Sequence, residues 1–148
     1  MIKSEAFQKM AKYCAYQERC QSEIRHRLKG SGLSNEEIEN VICDLIEQNF
    51  TNEERFAKAF VRGKFNQKGW GKNKIKQHLI QKEISEFCIN KGLNEICESD
   101  YLEKLELIVQ KKRNQLSEPN EFILNQKVVK YALSRGFESN LIWDVLNA

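Results

Sequence analysis

Apolar residues recur three or four positions apart in nearly every window of this chain, and no segment alternates strictly between apolar and polar positions. The first spacing is typical of helices that bury one face, whereas strict alternation is typical of half-buried strands. The pattern therefore predicts an all-α protein. Nine helices are expected, over residues 3–16, 21–30, 35–48, 52–67, 72–82, 86–95, 100–115, 121–134 and 139–147.

Local capping signals mark several of these helix starts. Ser34 and Thr51 each precede an Asn-Glu-Glu sequence, which is the order of a capping box, where a hydroxyl and a carboxylate bond free amides of the first turn. Ser85 is expected to be an N-cap as well, while Glu138 stands at the corresponding later position. Breaks between helices are expected at Gly32, at Asn49, over 69–71 and at Pro119.

The order of apolar positions repeats three times. The copies begin at Ile24, Ile75 and Val128, which are 51 and 53 positions apart. Within each copy an apolar residue precedes a helix and a second lies five positions later, which is the spacing of a hydrophobic staple. We expect these pairs to form the core of each repeat: Leu33 with Ile38, Ile84 with Ile89, and Phe137 with Ile142.

Three helices in each copy predict three tandem three-helix repeats, over residues 1–49, 50–97 and 98–148. A repeat of about 50 residues buries little core by itself and must pack on its neighbours. A row of such repeats is expected to form an elongated, curved body.

Charge is distributed unevenly along the chain, although the net charge is only +3. From residue 50 to residue 82, nine cationic side chains stand against two acidic ones, so this stretch carries +7 and the remainder −4. Such segregation indicates a surface for a polyanion or an acidic protein, although many basic helix faces are merely solvated. The candidate binding residues are Arg55, Lys58, Arg62, Lys64, Lys68, Trp70, Lys72, Lys74, Lys76 and Lys82.

The sequence gives little support for a catalytic, metal-binding or membrane-spanning role. The two histidines, His26 and His78, lie in different repeats without cysteine or carboxylate at zinc-site spacing. The 69–72 segment is too short for a phosphate-binding Walker A loop. No apolar run approaches the roughly 20 residues of a membrane span. The five cysteines form no Cys-x-x-Cys pair and are expected to be reduced; most of them, Cys43 and Cys88 included, have apolar neighbours and are expected to be small buried hydrophobic residues. We therefore expect a cytoplasmic protein that is not an enzyme, with no cofactor, metal or small-molecule substrate.

The middle repeat contains Phe56, Ala57 and Phe60 followed by Arg62, and then the basic, glycine-containing segment 68–75 with Leu79. In these residues the chain resembles the RecX family of regulatory proteins, which are built from tandem three-helix units of this size. Segment 135–137, Arg-Gly-Phe, matches in the last repeat. The family usually has a glycine where Glu83 stands. The resemblance covers nearly the whole chain.

The resemblance implies a protein that binds the RecA recombinase filament on DNA and inhibits or modulates its ATP hydrolysis and strand exchange, and so affects recombination, DNA repair and the SOS response. It also implies weaker binding to single- or double-stranded DNA. The alternatives are a helical-repeat protein that acts directly on DNA, and a scaffold that binds only protein. Two roles are open for Trp70, which lies between two glycines. Its ring either stacks on a base or anchors in a pocket of a partner, or it covers the junction of two helices.

Overall fold

The computed structural model describes all 148 residues, Met1–Ala148, and contains no strand. Its nine helices are α1 (Lys3–Tyr16), α2 (Gln21–Leu28), α3 (Asn35–Glu47), α4 (Glu53–Lys68), α5 (Lys72–Gln81), α6 (Glu86–Leu93), α7 (Glu98–Gln115), α8 (Glu121–Ser134) and α9 (Ser139–Leu146). The predicted all-α fold is confirmed, and each helix end lies within two residues of its expected position. No helix has the length and apolar character needed to cross a bilayer.

The chain divides into two compact units. Unit 1 comprises Met1–Ala59 and Leu79–Gly92, and unit 2 comprises Phe60–His78 and Leu93–Ala148. Helices α4 and α5 therefore contribute residues to both units. The division into three repeats at residues 49 and 97 stays a prediction.

The core of unit 1 forms where the apolar faces of α1, α2 and α3 meet. Its buried residues are Ala6, Met10, Cys14, Ile24, Leu28, Ile38, Val41, Ile42 and Leu45. Leu33 packs against this core but is only half-buried, whereas its staple partner Ile38 is buried. Ile84 and Ile89, the second staple pair, are both buried within the same unit. Two of the three staple residues that precede a helix are therefore fully enclosed, since Phe137 is also inaccessible to solvent.

The N-caps predicted at Ser34 and Ser85 are both formed by hydrogen bonds within the first turn of the helix that follows. The Ser34 hydroxyl accepts from the Glu37 amide at 3.1 Å, and the Glu37 carboxylate accepts from the Ser34 amide at 2.9 Å. This hydrogen bond to the Ser34 backbone lowers the pKa of Glu37. The Ser85 hydroxyl likewise accepts from the Cys88 amide at 3.2 Å. Both serine caps are confirmed.

The capping box predicted at Thr51 is wrong. Helix α4 begins at Glu53, and the side-chain oxygen of Asn52 accepts from the Arg55 amide at 2.9 Å. Thr51 is buried, and its hydroxyl donates to the Arg19 carbonyl at 2.7 Å. A buried hydroxyl must be hydrogen-bonded, and the nearby carbonyl of a different segment satisfies it instead of the first helical turn.

The core of unit 2 is built around three aromatic rings. The Tyr101 ring lies 5.1 Å from that of Phe137 and 5.9 Å from that of Phe65, measured between centroids. Ile142, which the sequence pairs with Phe137 as a staple, is also fully buried in unit 2. Large aromatic rings bury more apolar area per residue than other side chains, so these three contribute strongly to the core of the unit.

A backbone feature distinguishes the turn after α5. Glu83 adopts φ = +62°, in the left-handed region, and the following Ile84 amide donates to the Leu79 carbonyl at 3.1 Å. A residue with a Cβ atom reaches this conformation at a cost of about 1–2 kcal/mol, whereas glycine reaches it freely. The glycine that the resembled family usually has at this position suits the same turn.

Candidate functional site

The turn between α4 and α5 is tied to the segment that follows α8. After α4 ends at Lys68, Gly69 adopts φ = +66° and reverses the chain. The Gly71 amide donates to the Arg135 carbonyl at 2.7 Å, and the Asn73 amide donates to the Gly136 carbonyl at 2.9 Å. These backbone hydrogen bonds fix the first turn of α5 within unit 2.

Gly71 and Gly136 touch each other directly. A Cβ atom on Gly71 would lie 2.4 Å from the carbonyl carbon and oxygen of Gly136. A Cβ atom on Gly136 would lie 2.4 Å from the Cβ of Lys74, and Gly136 itself has φ = +99°. Neither position has room for a side chain, because the opposing atoms belong to the backbone or to a Cβ that cannot move away.

Trp70 projects from this turn between two lysine side chains. The ammonium nitrogens of Lys64 and Lys74 lie 4.9 Å and 4.5 Å from the centroid of its indole ring. The His78 ring centroid lies 4.6 Å away. The indole is half-buried, so part of its surface stays available, and both roles expected for Trp70 stay predictions.

Four of the ten candidate binding residues are already engaged by carboxylates. In unit 1, Arg55 pairs with Glu18 at 2.6 Å, Lys58 with Glu54 at 3.2 Å and Lys82 with Glu23 at 3.0 Å. Arg55 also donates to the Asn49 and Phe50 carbonyls. In unit 2, Arg62 pairs with Glu95 at 2.7 Å. These four cations are compensated within the protein and are weaker candidates for an anionic partner.

Five candidate lysines in unit 2 make no ion pair with a carboxylate. Two of them, Lys72 and Lys74, stand in the first turn of α5, which contains no acidic residue. Cations near a helix N-terminus oppose the helix dipole, which costs each roughly 0.3–1 kcal/mol. The arrangement is unfavourable for the isolated fold and suits a surface that binds an anion. The five are Lys64, Lys68, Lys72, Lys74 and Lys76, and we call them the lysine cluster.

Tyr101 contacts the lysine cluster through Lys72. Its hydroxyl donates to the Glu138 carboxylate and accepts from the Lys72 amide at 2.9 Å. The Lys72 ammonium nitrogen lies 4.7 Å from the Tyr101 ring centroid. Burial, followed by the hydrogen bond to Glu138, raises the pKa of Tyr101, so that the hydroxyl stays protonated at all physiological pH values. The side chain is 2% exposed, and its hydrogen bonds orient the N-terminus of α5.

Replacing Tyr101 by phenylalanine is expected to destabilise the protein by about 1–3 kcal/mol. The substitution keeps the ring but leaves the Glu138 carboxylate and the Lys72 amide without their shared partner, and unsatisfied groups of this kind cost that much. Urea unfolding followed by circular dichroism measures the effect. Tyr16→Phe is the matched control, because Tyr16 is 83% exposed and its loss should change stability by less than about 0.5 kcal/mol. Equal losses in the two variants would refute the role of the hydroxyl.

The cysteines do not share one environment. Cys14 and Cys20 are buried, and burial raises the pKa of each thiol. Cys43 and Cys97 are exposed and Cys88 is half-buried, so the expectation that Cys43 is a buried hydrophobic residue is wrong. It stands on the outer face of α3, beside the buried Val41 and Ile42. No group of three His, Cys, Asp or Glu side chains converges in the arrangement of a metal site.

A second set of cations lies outside the stretch from residue 50 to residue 82. Lys104, Lys111 and Lys112 on α7, together with Arg135 after α8, line one cleft with Lys68 in unit 2. Clustering along the chain does not reveal these residues, because they are separated in sequence from the basic stretch. The helical spacing of the α7 lysines was the available signal, since positions 104, 108, 111 and 112 share one helix face.

The fold and these surfaces define an all-helical repeat protein with concentrated, uncompensated positive charge in one of its two units. Family models describe the same architecture. The first, second and third three-helix domains of RecX match residues 6–45, 52–93 and 98–146. The chain belongs to the RecX family of regulatory proteins.

Individual relatives agree with this assignment. A regulatory protein RecX of Haemophilus influenzae (strain Rd) is 29% identical over 146 residues, which cover 98% of this chain and 95% of that protein. A regulatory protein RecX of Clostridium botulinum (strain Alaska E43) is 31% identical over 128 residues. The match covers 85% of this chain, which spans only 59% of that relative's length.

Solved structures share the fold. The crystal structure of a regulatory protein RecX superposes with a TM-score of 0.89 and 26% identity, covering 99% of this chain and 72% of the other. RecX from Lactobacillus salivarius superposes with a TM-score of 0.88 over 98% of this chain and 94% of its own, and at 23% identity shows the fold alone.

Proposed function

We propose that this protein binds a RecA filament assembled on DNA and inhibits its ATP hydrolysis and strand exchange through the lysine cluster of unit 2. Membership of a family of regulatory proteins supports a regulatory role. The observation that carries the proposal is the division of the basic stretch into four compensated cations and five uncompensated lysines. A nucleoprotein filament offers both phosphates and acidic protein surface to such a cluster.

Charge reversal on α5 tests the proposal. In the double variant Lys74→Glu with Lys76→Glu, the concentration that half-inhibits RecA ATP hydrolysis is expected to rise at least tenfold. Lys76 is exposed and Lys74 lies on Trp70, so the variant repels an anionic surface while the backbone contacts of the turn are kept. ATP hydrolysis by RecA from the same organism, assembled on single-stranded DNA, is the measurement.

The matched control is Lys9→Glu with Lys12→Glu on α1. Both lysines are exposed, and the double change lowers the net charge from +3 to −1, as the α5 variant does. The control should inhibit as well as wild type. Thermal melts verify that both variants are folded. The proposal fails if the folded α5 variant inhibits RecA normally, or if wild type has no effect on RecA.

A direct action on DNA is the second candidate, favoured by the cation–indole–cation arrangement of Lys64, Trp70 and Lys74, which suits stacking on an unpaired base. Co-sedimentation separates the candidates. Filament binding predicts that the protein sediments with RecA filaments at concentrations that leave it unbound to naked DNA of equal length. Equal binding to both, without inhibition of RecA, would favour the DNA-binding protein.

A further inference from the structure

A cleft of about 300 Å³ opens in unit 2 where the C-terminal end of α4, one face of α7 and the end of α8 meet. Five cationic side chains line it, and no carboxylate does. They are Lys68, Lys104, Lys111, Lys112 and Arg135. None of the five makes an ion pair anywhere in the structure.

The α7 wall of the cleft is one helix face. Lys104, Ile108, Lys111, Lys112 and Gln115 all line the cleft, and each lies three or four residues from another member of the set, which is the spacing of neighbours on one helix face. The helix buries a different face through Tyr101, Leu105 and Val109. The lysines are therefore presented to the cleft by a rigid element rather than by a loop.

Arg135, which directly follows α8, also lines the cleft. Its guanidinium donates to the Lys68 carbonyl, at the C-terminal end of α4, and is thereby held between α4 and α8. The residue is half-buried, and its Nε makes no hydrogen bond. A partly desolvated guanidinium without a counter-ion is unfavourable unless an anion approaches it.

Aromatic rings hold two of the lysines in place. The Lys112 ammonium nitrogen lies 4.4 Å from the Tyr131 ring centroid, and that of Lys104 lies 5.2 Å from the Phe65 ring centroid. These contacts favour the cation but leave its hydrogen-bond donors free, since a ring face accepts no strong hydrogen bond. The ammonium groups remain available to oxygen atoms of a ligand.

We propose that this cleft binds a run of adjacent phosphate groups, from a free oligophosphate or from the phosphodiester chain of a single nucleic-acid strand. Five positive charges around about 300 Å³ require a ligand with several negative charges in a small volume. Lysine binds phosphate as a point charge, and the planar fork of arginine matches phosphate oxygens bidentately. Adjacent phosphate groups place several negative charges within the volume of this cleft, whereas the carboxylates of an acidic peptide stand on separate residues, so the density of cations favours phosphate.

Binding to the isolated protein tests this site without RecA, so the outcome is independent of the proposed filament role. The double variant Lys104→Gln with Lys111→Gln removes two of the five charges. Isothermal titration calorimetry with sodium tripolyphosphate and with a short oligothymidylate should show saturable binding of at least one ligand by wild type. The Kd for that ligand should rise at least tenfold in the variant.

The control variant Lys9→Gln with Lys12→Gln removes the same charge from the exposed surface of α1, and its Kd should match wild type. If the double variant does not fold, Lys111→Gln alone serves, because Lys111 is exposed and its substitution still removes one of the five charges of the cleft. For oligothymidylate, the slope of log K against log salt should become shallower by about 1.4 when two phosphate contacts are lost.

The two ligands distinguish the source of the phosphates. Tripolyphosphate binding without oligothymidylate binding assigns the cleft to a free oligophosphate, and the reverse result assigns it to a strand. The proposal is overturned if neither ligand binds, if the cleft and control variants bind equally, or if an oligoglutamate peptide of equal charge binds as tightly as the phosphates.

Discussion

Replacing Gly71 by alanine is expected to destabilise the protein by about 3 kcal/mol, the upper part of the range for forcing atoms into a packed site. The added methyl group would lie 2.4 Å from the Gly136 carbonyl carbon and 2.5 Å from the Phe137 amide nitrogen. To admit it, the turn must separate from residues 135–137 and lose the hydrogen bond from Gly71 to Arg135. Urea unfolding followed by circular dichroism gives the free energy of unfolding.

Gly63→Ala is the matched control for that prediction. Gly63 lies within α4, has no atom within 4 Å of the position of an added Cβ, and has no positive φ. Alanine is a better helix former than glycine by roughly 0.5–1 kcal/mol, so this variant should be slightly more stable than wild type. The same chemical change thus has opposite expected signs at two glycines eight residues apart. A Gly71→Ala protein as stable as wild type would contradict the close contact with Gly136.

Replacing Phe137 by alanine is expected to cost about 3–5 kcal/mol, the usual loss for a large aromatic residue in a core. Phe137 has no solvent exposure and its ring lies 5.1 Å from that of Tyr101, so its removal leaves a cavity in the centre of unit 2. The loss should appear as a lower midpoint of urea unfolding.

Leu33→Ala is the informative comparison, because the repeat places Leu33 at the position equivalent to Phe137. Leu33 is only half-buried at the edge of the unit 1 core. Less apolar area is lost and the site opens to solvent, so we expect a cost of about 1 kcal/mol. Similar losses at both positions would show that burial does not differ between the two as the structure describes.

The sequence by itself determined the helices and the stretch that contains the lysine cluster, while the staple pairs stay a prediction. Helices follow from apolar spacing and from caps such as Ser34, which depend on residues only a few positions apart. The same local reasoning failed at Thr51, where a hydroxyl predicted to cap a helix bonds the carbonyl of Arg19, 32 residues earlier. Local reasoning also could not predict that Leu33 is less buried than Phe137, because the burial of each side chain depends on the residues that pack over it in the folded chain.

Only the tertiary structure decided which charges are available. Arg62 is compensated by Glu95, 33 residues later, and Lys82 by Glu23, 59 residues earlier. The cleft joins Lys68, Lys104 and Arg135, which are far apart along the chain. Coulombic interactions depend on distance in space and on the surrounding dielectric, and sequence separation specifies neither. Helix positions are therefore readable from local pattern, whereas the electrostatic surface exists only after the chain has folded.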